Sequence, residues 1–219
     1  ALDGSSRVLE VGVGTGRIAL PLAAHAGAIY GLDLSRPMME RLRSKQQDER
    51  VFLVQGDACR LPYPAATFHA TIAVHVFHLI RDWRTVVNEI ARVLRPDGRL
   101  ISAWGGARYG DLWREVRERV GVEHRVGIRD REELEAHLLA TGWRKLGQDE
   151  YTYPQQFIPR RLITYITGRT HSWTWHATDE QIAEAAELLT GLLRERYGDL
   201  DQPVTVQSTY GAAAFAPPR

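Results

Sequence analysis

A glycine-rich turn and an acidic residue lie close together near the start of the chain. Residues 7–17 read Arg-Val-Leu-Glu-Val-Gly-Val-Gly-Thr-Gly-Arg. A carboxylate at the end of a buried strand is costly unless a partner accepts or neutralises it, which makes Glu10 a candidate for chemistry. Gly12, Gly14 and Gly16 remove three side chains from one turn, so a ligand can approach the backbone N–H groups closely. The stretch predicts a ligand-binding turn, and a purely structural turn is the alternative.

Three more side chains with hydrogen-bonding or acid–base chemistry follow the next predicted strands. Asp33 ends the second strand, Asp57 follows the third within Gly-Asp-Ala, and His75 follows the fourth. The carboxyl ends of parallel strands lie at one edge of an open sheet, where ligands bind. We therefore expect these side chains to lie at the same edge as Glu10, where the Asp33 carboxylate can accept both hydroxyls of a ribose. The alternative for Asp57 is a turn residue beside a glycine.

Strands must alternate with helices to bring these strand ends together. Apolar runs bounded by turn residues predict strands, and apolar residues at helical spacing predict helices. The predicted strands span residues 8–11, 28–33, 51–55, 68–74, 99–104, 144–157 and 204–215. The predicted helices span residues 17–25, 36–46, 82–94, 109–120, 131–140 and 178–196. Ser35 is an expected N-cap, Thr178 and Gln181 have capping-box spacing, and Arg95–Gly98 is an expected turn. The alternation predicts an α/β fold with an open, mostly parallel sheet.

Composition limits the classes of function. Of the 219 residues, 44% are hydrophobic and 25% are charged, which is typical of a globular protein with a core. The net charge of +1 gives no basic surface for a nucleic acid. The single cysteine, Cys59, excludes an internal disulfide and favours a cytoplasmic location. No apolar run is long enough to span a bilayer, and no signal-peptide pattern is present. The chain opens on Ala1 close to the glycine turn, and we expect further residues upstream.

The order and spacing of these motifs resemble a class I S-adenosylmethionine-dependent methyltransferase, of the small-molecule type that includes the quinone-biosynthesis methyltransferases. The resemblance rests on Val-Leu-Glu-Val-Gly-Val-Gly-Thr-Gly-Arg at 8–17, Gly-Leu-Asp-Leu-Ser at 31–35, Gly-Asp-Ala at 56–58, Leu-Pro-Tyr-Pro-Ala-Ala-Thr-Phe at 61–68 and Arg-Val-Leu-Arg-Pro-Asp-Gly-Arg-Leu at 92–100. It implies a Rossmann-like, seven-stranded sheet with helices on both faces, an antiparallel last strand and a helical insertion between the last two strands. His69 departs from the pattern, because relatives usually carry an acidic residue there.

The resemblance also implies roles toward S-adenosylmethionine and its product S-adenosylhomocysteine. The acidic residue of the first strand would lie near the methionine amine, and the acidic residue that ends the second strand would hold the ribose hydroxyls. The aspartate of Gly-Asp-Ala would accept from the adenine amino group, with the Ala58 amide beside it. Leu34 and Met38 would pack on the adenine ring. The residues implied to bind the cofactor are Glu10, Gly12, Val13, Gly14, Gly16, Asp33, Leu34, Met38, Asp57, Ala58 and His75.

The acceptor of the methyl group must be aligned with the sulfonium and shielded from water. An acceptor that loses a proton needs a base, and His78 and His75 are the candidates because histidine titrates near neutrality; packed histidines are the alternative. Aromatic side chains suit a pocket for an apolar small molecule, although the same tryptophans can simply pack helices. The candidate pocket residues are Trp104, Tyr109, Trp113, His171, Trp173 and Trp175. No Cys or carboxylate near His171 and His176 completes a set of metal ligands, so no metal is expected.

We expect one methyltransferase domain over residues 1–219, with a cofactor-binding half (1–106) and a substrate-side half (107–219) that contains a helical insertion (157–202). The predicted function is transfer of a methyl group from S-adenosylmethionine to a small-molecule acceptor. A catalytically silent S-adenosylmethionine-binding regulatory or partner subunit is the alternative. A dinucleotide-binding dehydrogenase is the nearest rival enzyme, but its fingerprint requires glycine where Arg17 stands, and it gives Asp57 no role.

Overall fold

The computed structural model describes residues 3–47, 50–107, 110–122, 126–170 and 172–219. The strands are β1 Arg7–Val11, β2 Ala28–Asp33, β3 Val51–Gln55, β4 Phe68–Val74, β5 Leu94–Ala107, β6 Arg144–Phe157 and β7 Val204–Ala216. The helices are α1 Ala19–Leu22, α2 Arg36–Arg43, α3 Trp83–Val93, α4 Gly110–Arg119, α5 Arg131–Ala140, α6 Arg160–Thr167 and α7 Asp179–Tyr197. Two short 3₁₀ helices span Phe77–Leu79 and Ser172–His176. None of the helices formed by these residues combines the length and the apolar character that crossing a membrane requires.

The strands form one seven-stranded sheet in the order β3-β2-β1-β4-β5-β7-β6. Neighbouring strands from β3 to β5 run parallel, and the last strands are antiparallel. The register places Glu10 of β1 between Gly31 of β2 and Ile72 of β4. The predicted Rossmann-like fold is therefore confirmed, including the helices α6 and α7 between β6 and β7.

The chain divides into two compact units. The first consists of Ala1–Trp104, Val126–Asp149 and Gly211–Arg219, and the second of Gly105–Arg125 and Glu150–Tyr210. In the first unit, Leu9 and Val11 belong to one buried cluster and Val8 belongs to another. Because successive side chains of a strand point to opposite faces, β1 is covered on both faces, as its apolar sequence predicts.

Helices α4, α6 and α7 of the second unit share a separate core. Each contributes buried residues one turn apart, so that one face of each helix is apolar. These residues are Leu112, Val116, Leu162, Ile166, Ala185, Leu189 and Leu193. The 3₁₀ helix Ser172–His176 is fixed by Arg169, whose guanidinium donates to the carbonyl oxygens of Thr174 and Ala177 at 2.6 and 2.7 Å.

Three local expectations differ from the structure. The helix expected over 17–25 is only the four-residue α1, because the turns that flank it and Pro21, which has no N–H, interrupt the helical hydrogen bonds. The turn expected at Arg95–Gly98 lies inside β5, as an irregularity between the pairs Phe68–Leu94 and Ala70–Arg99. Ser35 occupies the N-cap of α2, but its side chain makes no capping hydrogen bond.

The capping box of α7 gives a first prediction. The Thr178 side chain accepts from the Gln181 N–H, and the Gln181 side chain accepts from the Thr178 N–H. Replacing Thr178 by alanine is expected to lower the free energy of unfolding by about 1 kcal/mol, measured by denaturant titration. Thr190→Ala is the matched control, because the Thr190 hydroxyl donates within α7 to the Ala186 carbonyl and alanine favours a helix interior. Equal losses in both variants would contradict a specific capping role.

Candidate cofactor and active site

The parallel strands β1 to β4 place the candidate polar groups after their carboxyl ends. Glu10 is the fourth residue of β1, Asp33 ends β2, and Asp57 follows β3. His75 comes directly after β4. All four belong to the first unit, so the pairing of the parallel strands determines where their backbones lie.

The glycine turn after β1 is anchored to β2 by backbone hydrogen bonds. The N–H groups of Gly12 and Val13 both donate to the Leu32 carbonyl oxygen, at 2.8 and 3.1 Å. Gly12, Gly14 and Gly16 have φ angles of +74°, +52° and +82°, which L-residues with side chains rarely adopt. This backbone conformation explains why the turn contains three glycines.

The three glycines differ in what surrounds them. A Cβ on Gly12 would lie 2.6 Å from Cγ2 of Val76, and a Cβ on Gly16 would lie 2.6 Å from Cγ of Leu42. A Cβ on Gly14 would lie 4.0 Å from the Gly12 carbonyl oxygen, the nearest heavy atom outside the adjoining residues. Gly12 and Gly16 therefore allow close packing inside the protein, whereas Gly14 leaves open space beside the turn.

Glu10 is a buried carboxyl group with an unused oxygen. Its residue is 3% exposed, and Oε2 has no hydrogen-bond partner within the described residues. Burial raises the pKa of Glu10 to about 8, although the Ala19 N–H and the charge of Arg17 act in the opposite direction. A buried polar atom without a partner is uncommon in a stable protein, so this oxygen is a candidate acceptor for a polar ligand group.

Asp33 connects the glycine turn to the start of α2. Its Oδ2 accepts from the Gly14 N–H and its Oδ1 from the Ser35 N–H, both at 2.8 Å. A carboxylate offers about four acceptor sites, so each oxygen keeps one more. The side chain is partly exposed and can accept two further donors, as a ribose diol requires.

The remaining candidates for the adenine end lie after β2 and β3. Leu34 is 73% exposed, which is unusual for a leucine, and Met38 on α2 is half-buried. The exposed Asp57 forms a tight turn in which Oδ1 accepts from the Cys59 N–H at 2.9 Å, while Ala58 is buried. The apolar side chains of Leu34 and Met38 could pack against the face of a purine ring. The Asp57 carboxylate could accept a hydrogen bond from the edge of that ring.

The two candidate bases lie just after β4. His75 is exposed and has a φ angle of +50°, an uncommon conformation for a residue other than glycine. His78 lies in the 3₁₀ helix Phe77–Leu79, and its carbonyl oxygen accepts from the Gly127 N–H at 3.2 Å. A side chain at Gly127 would collide with the Phe77 carbonyl oxygen, so the segment around Gly127 supports the backbone of His78 closely.

The aromatic candidates for the acceptor pocket occupy different environments. Trp104 belongs to the first unit, where Arg131 lies 4.8 Å from the centre of its ring. Trp113 and Trp173 pack in the core of the second unit, and Trp173 is only 4% exposed. Trp175 is 49% exposed, and its Nε1 donates to the Arg169 carbonyl oxygen at 2.9 Å. The two other candidates, Tyr109 and His171, lie outside the described residues.

Gly31 is a residue of the site that sequence reasoning did not identify. A Cβ at this position of β2 would lie 2.7 Å from Cγ2 of Val13, so the glycine allows the turn to pack directly on the strand. The sequence signal was a glycine inside an otherwise apolar strand, two residues before Asp33. Within the ranges that the structure describes, no group of three or more His, Cys, Asp or Glu side chains is arranged to hold a metal ion.

The different surroundings of the glycines give a second prediction. Gly14→Ala is expected to weaken binding of S-adenosylhomocysteine at least about tenfold, because the added methyl group occupies the open space in which the ligand would lie. The loss of stability should be small, because no protein atom is displaced and the backbone strain costs roughly 1 kcal/mol. Gly16→Ala is expected to lower stability by about 1 to 3 kcal/mol, because its methyl group overlaps with the fully buried Leu42. Calorimetry and denaturant titration measure the two effects. A Gly14→Ala protein that binds like the wild type would rule out a ligand beside this glycine.

Comparison with known proteins finds similar sequences among methyltransferases. A family profile described as a methyltransferase domain matches residues 9–102. Phosphatidylethanolamine N-methyltransferase of Cereibacter sphaeroides is 39% identical over 99 residues, which are 43% of this chain and 48% of that protein. Demethylmenaquinone methyltransferase of Deinococcus radiodurans is 37% identical over 99 residues, which are 43% of this chain and 41% of that protein. The matched segments thus cover less than half of either relative.

Among solved structures, phosphoethanolamine N-methyltransferase 2 of Haemonchus contortus, in complex with phosphomonomethylethanolamine and S-adenosylhomocysteine, has a TM-score of 0.61. The similarity covers all of this chain and 51% of that chain at 20% identity, so it concerns the fold. The matched region contains the glycine turn, Asp33, Asp57 and both candidate bases. Residues 9–102 of this chain therefore resemble a methyltransferase domain, and the seven-stranded sheet matches a Rossmann-like methyltransferase fold.

Proposed function

We propose that this protein transfers a methyl group from S-adenosylmethionine to a small-molecule acceptor. The observation that carries the proposal is the buried Oε2 of Glu10, which has no hydrogen-bond partner in the described part of the chain, together with the open space at Gly14 of the adjacent turn. A cationic amine is the group that best satisfies a buried carboxylate, and S-adenosylmethionine carries such an amine.

The residues present fit the whole cofactor. Glu10 and the turn Gly12–Gly16 would hold its methionine end, with His75 beside them. The remaining acceptor sites of Asp33 would bind the ribose hydroxyls. Asp57, the Ala58 amide and the exposed Leu34, together with Met38, would hold the adenine. The network in which Asp33 accepts from Gly14 and Ser35 supports this assignment, because the turn and the ribose site are then positioned together.

The bound cofactor supplies an activated methyl group, so the protein's own task is to bind, orient and exclude water. His78, or His75, would take the proton from a hydroxyl or carbon acid acceptor. The His75 backbone conformation and the support of His78 by Gly127 favour fixed positions for these groups. Trp104, Tyr109, Trp113, His171, Trp173 and Trp175 remain the proposed acceptor-side residues.

A small-molecule acceptor is the class that the relatives support. Their names specify phosphatidylethanolamine and demethylmenaquinone. Both named compounds are small molecules with a largely apolar body. The net charge of +1 does not favour a nucleic acid instead. We therefore propose the acceptor class only, and apolar amines, phenols and quinols are the first compounds to test.

The proposal is tested by calorimetric titration with S-adenosylmethionine and S-adenosylhomocysteine, with NAD as the control ligand. Micromolar binding of both adenosyl compounds without NAD binding is the expected result. Transfer of a labelled methyl group to members of an acceptor panel then measures activity. If the protein binds neither S-adenosylmethionine nor S-adenosylhomocysteine, the proposal is overturned. Tight binding without turnover across a broad panel would instead identify a silent cofactor-binding subunit.

A further inference from the structure

The loop after β3 carries Asp57 and Ala58 but contains no regular secondary structure. Its first turn is closed locally, since Asp57 accepts from the N–H groups of Cys59 and Arg60. Pro62 and Pro64 follow, and neither has an N–H with which to continue a backbone hydrogen-bond pattern. The position of this loop therefore depends on contacts from outside it.

Two side chains of α3 provide these contacts. Oε2 of Glu89 accepts from the Leu61 N–H at 2.8 Å. Arg92 donates through Nη2 to the Leu61 carbonyl oxygen at 3.0 Å and through Nη1 to the Tyr63 carbonyl oxygen at 2.7 Å. Both backbone groups of Leu61, a residue that is only 3% exposed, are thus held by one helix.

Glu89 and Arg92 also hold each other. Nε of Arg92 donates to Oε1 of Glu89, and Nη2 donates to Oε2, both at 2.7 Å. Their hydrogen bonds lower the pKa of Glu89, so the carboxylate is charged at neutral pH. Because the guanidinium is planar and rigid, it presents its remaining donors to the loop in a fixed orientation.

The contacts continue along α3 in both directions. Cys59 Sγ lies 3.6 Å from the carbonyl oxygen of Asp82 at the N-terminus of the helix. At the other end, the Ala66 and Thr67 N–H groups donate to the carbonyl oxygens of Arg92 and Val93 at 3.0 and 2.8 Å. The loop thus follows the whole helix, and the Glu89–Arg92 pair holds its middle.

We propose that Glu89 and Arg92 are positioning residues for the adenine-binding turn Asp57–Ala58. They act through Leu61 and Tyr63 and hold the loop in its binding conformation before the cofactor arrives. A loop held in this way pays less conformational entropy on binding, so the pair contributes to affinity without touching the ligand. This inference rests on the proposed function.

Glu89→Gln and Arg92→Lys test the proposal in the full chain. Glutamine keeps an acceptor but loses the charge, and lysine loses the planar fork. Each variant is expected to bind S-adenosylhomocysteine about tenfold more weakly than the wild type. The affinity of the double variant should be at most slightly lower than that of either single variant, because the two residues act as one unit. With an accepted substrate, KM for S-adenosylmethionine should rise by the same factor while kcat stays within twofold.

Two further variants separate positioning from general stability. Glu115→Gln removes one partner of the Glu115–Arg119 pair on α4 and is expected to leave affinity unchanged. The exchange Glu89→Arg with Arg92→Glu keeps two opposite charges but places a donor near the Leu61 N–H, so it should not restore binding. Melting curves identify the temperature range in which every variant is folded, and the titrations are made within it.

The outcomes distinguish this inference from the proposed function. If the wild type binds neither adenosyl compound, both fail. If the wild type binds and the folded Glu89→Gln and Arg92→Lys variants bind equally well, the positioning role is wrong and the proposed function stands. Rescue of affinity by the charge exchange would likewise contradict the proposal, because an ion pair alone would then be sufficient.

Discussion

Alanine at Asp33 is expected to weaken binding of S-adenosylhomocysteine by roughly a hundredfold or more. The substitution removes two acceptors for the ribose and releases the N–H groups of Gly14 and Ser35, which both donate to this carboxylate at 2.8 Å. Hydrogen bonds to a charged group contribute about 1.5 to 3 kcal/mol each, so the loss of two accounts for an effect of this size. Isothermal calorimetry measures it directly.

The control for Asp33→Ala is Asp97→Ala. Asp97 pairs with Arg95 in the irregular part of β5 near its amino end, away from the carboxyl ends of the strands. Its replacement is expected to leave binding unchanged.

A comparison of ligands shows whether Asp33 contacts the ribose. The wild type should bind adenosine more tightly than 2′,3′-dideoxyadenosine, and Asp33→Ala should bind the two about equally. A variant that still distinguishes them would show that the ribose hydroxyls are bound elsewhere.

Glutamine at Glu10 is expected to remove a pH dependence of stability. The pKa of Glu10 is about 8 in the folded protein, compared with an ordinary value of 4.5. Between these values the folded state holds a proton that the unfolded state has lost, so stability falls as pH rises. The slope reaches at most about 1.4 kcal/mol per pH unit. Denaturant titrations from pH 4.5 to 9 should show this decline in the wild type and its absence in Glu10→Gln.

Glu184→Gln, at an exposed position of α7, serves as the control and should retain the wild-type slope. Equal slopes in the wild type and Glu10→Gln would mean that Glu10 is ionised in the folded protein.

Cofactor binding gives a second measurement at Glu10. An amine bound beside Oε2 favours the carboxylate, so binding at pH 7 should release a proton and strengthen toward pH 8. Calorimetry in buffers of different ionisation enthalpy counts the protons released, and Glu10→Gln should release none from this site.

Most of the sheet follows from local sequence. The predicted bounds of β2, β3, β4 and β6 agree with the structure at both ends. In β2 to β4, a compact apolar stretch determines the strand, and a glycine, charged residue or proline lies close to its ends. At Arg95–Gly98, by contrast, turn-forming residues are accommodated in β5, because Leu94 and Arg99 still pair with β4.

Local sequence patterns could identify candidate site residues that follow a predicted strand. They could not identify contacts between segments that are distant in the sequence. Asp33 and the glycine turn could be identified because strand order places them at one edge. The contacts of Arg92 with Leu61 and Tyr63 join residues about thirty positions apart, and no local pattern specifies such pairs. The same holds for the Gly127 support of His78.

The order of the two units along the chain has a consequence for biosynthesis. The core of the first unit includes Ala213 and Phe215 of β7, and these residues are translated after the entire second unit. The first unit can therefore complete its core only after the helices α4, α6 and α7 have been synthesised. A chain truncated before Gly211 should therefore leave exposed the apolar surface that Phe215, which is 2% exposed, covers in the full chain.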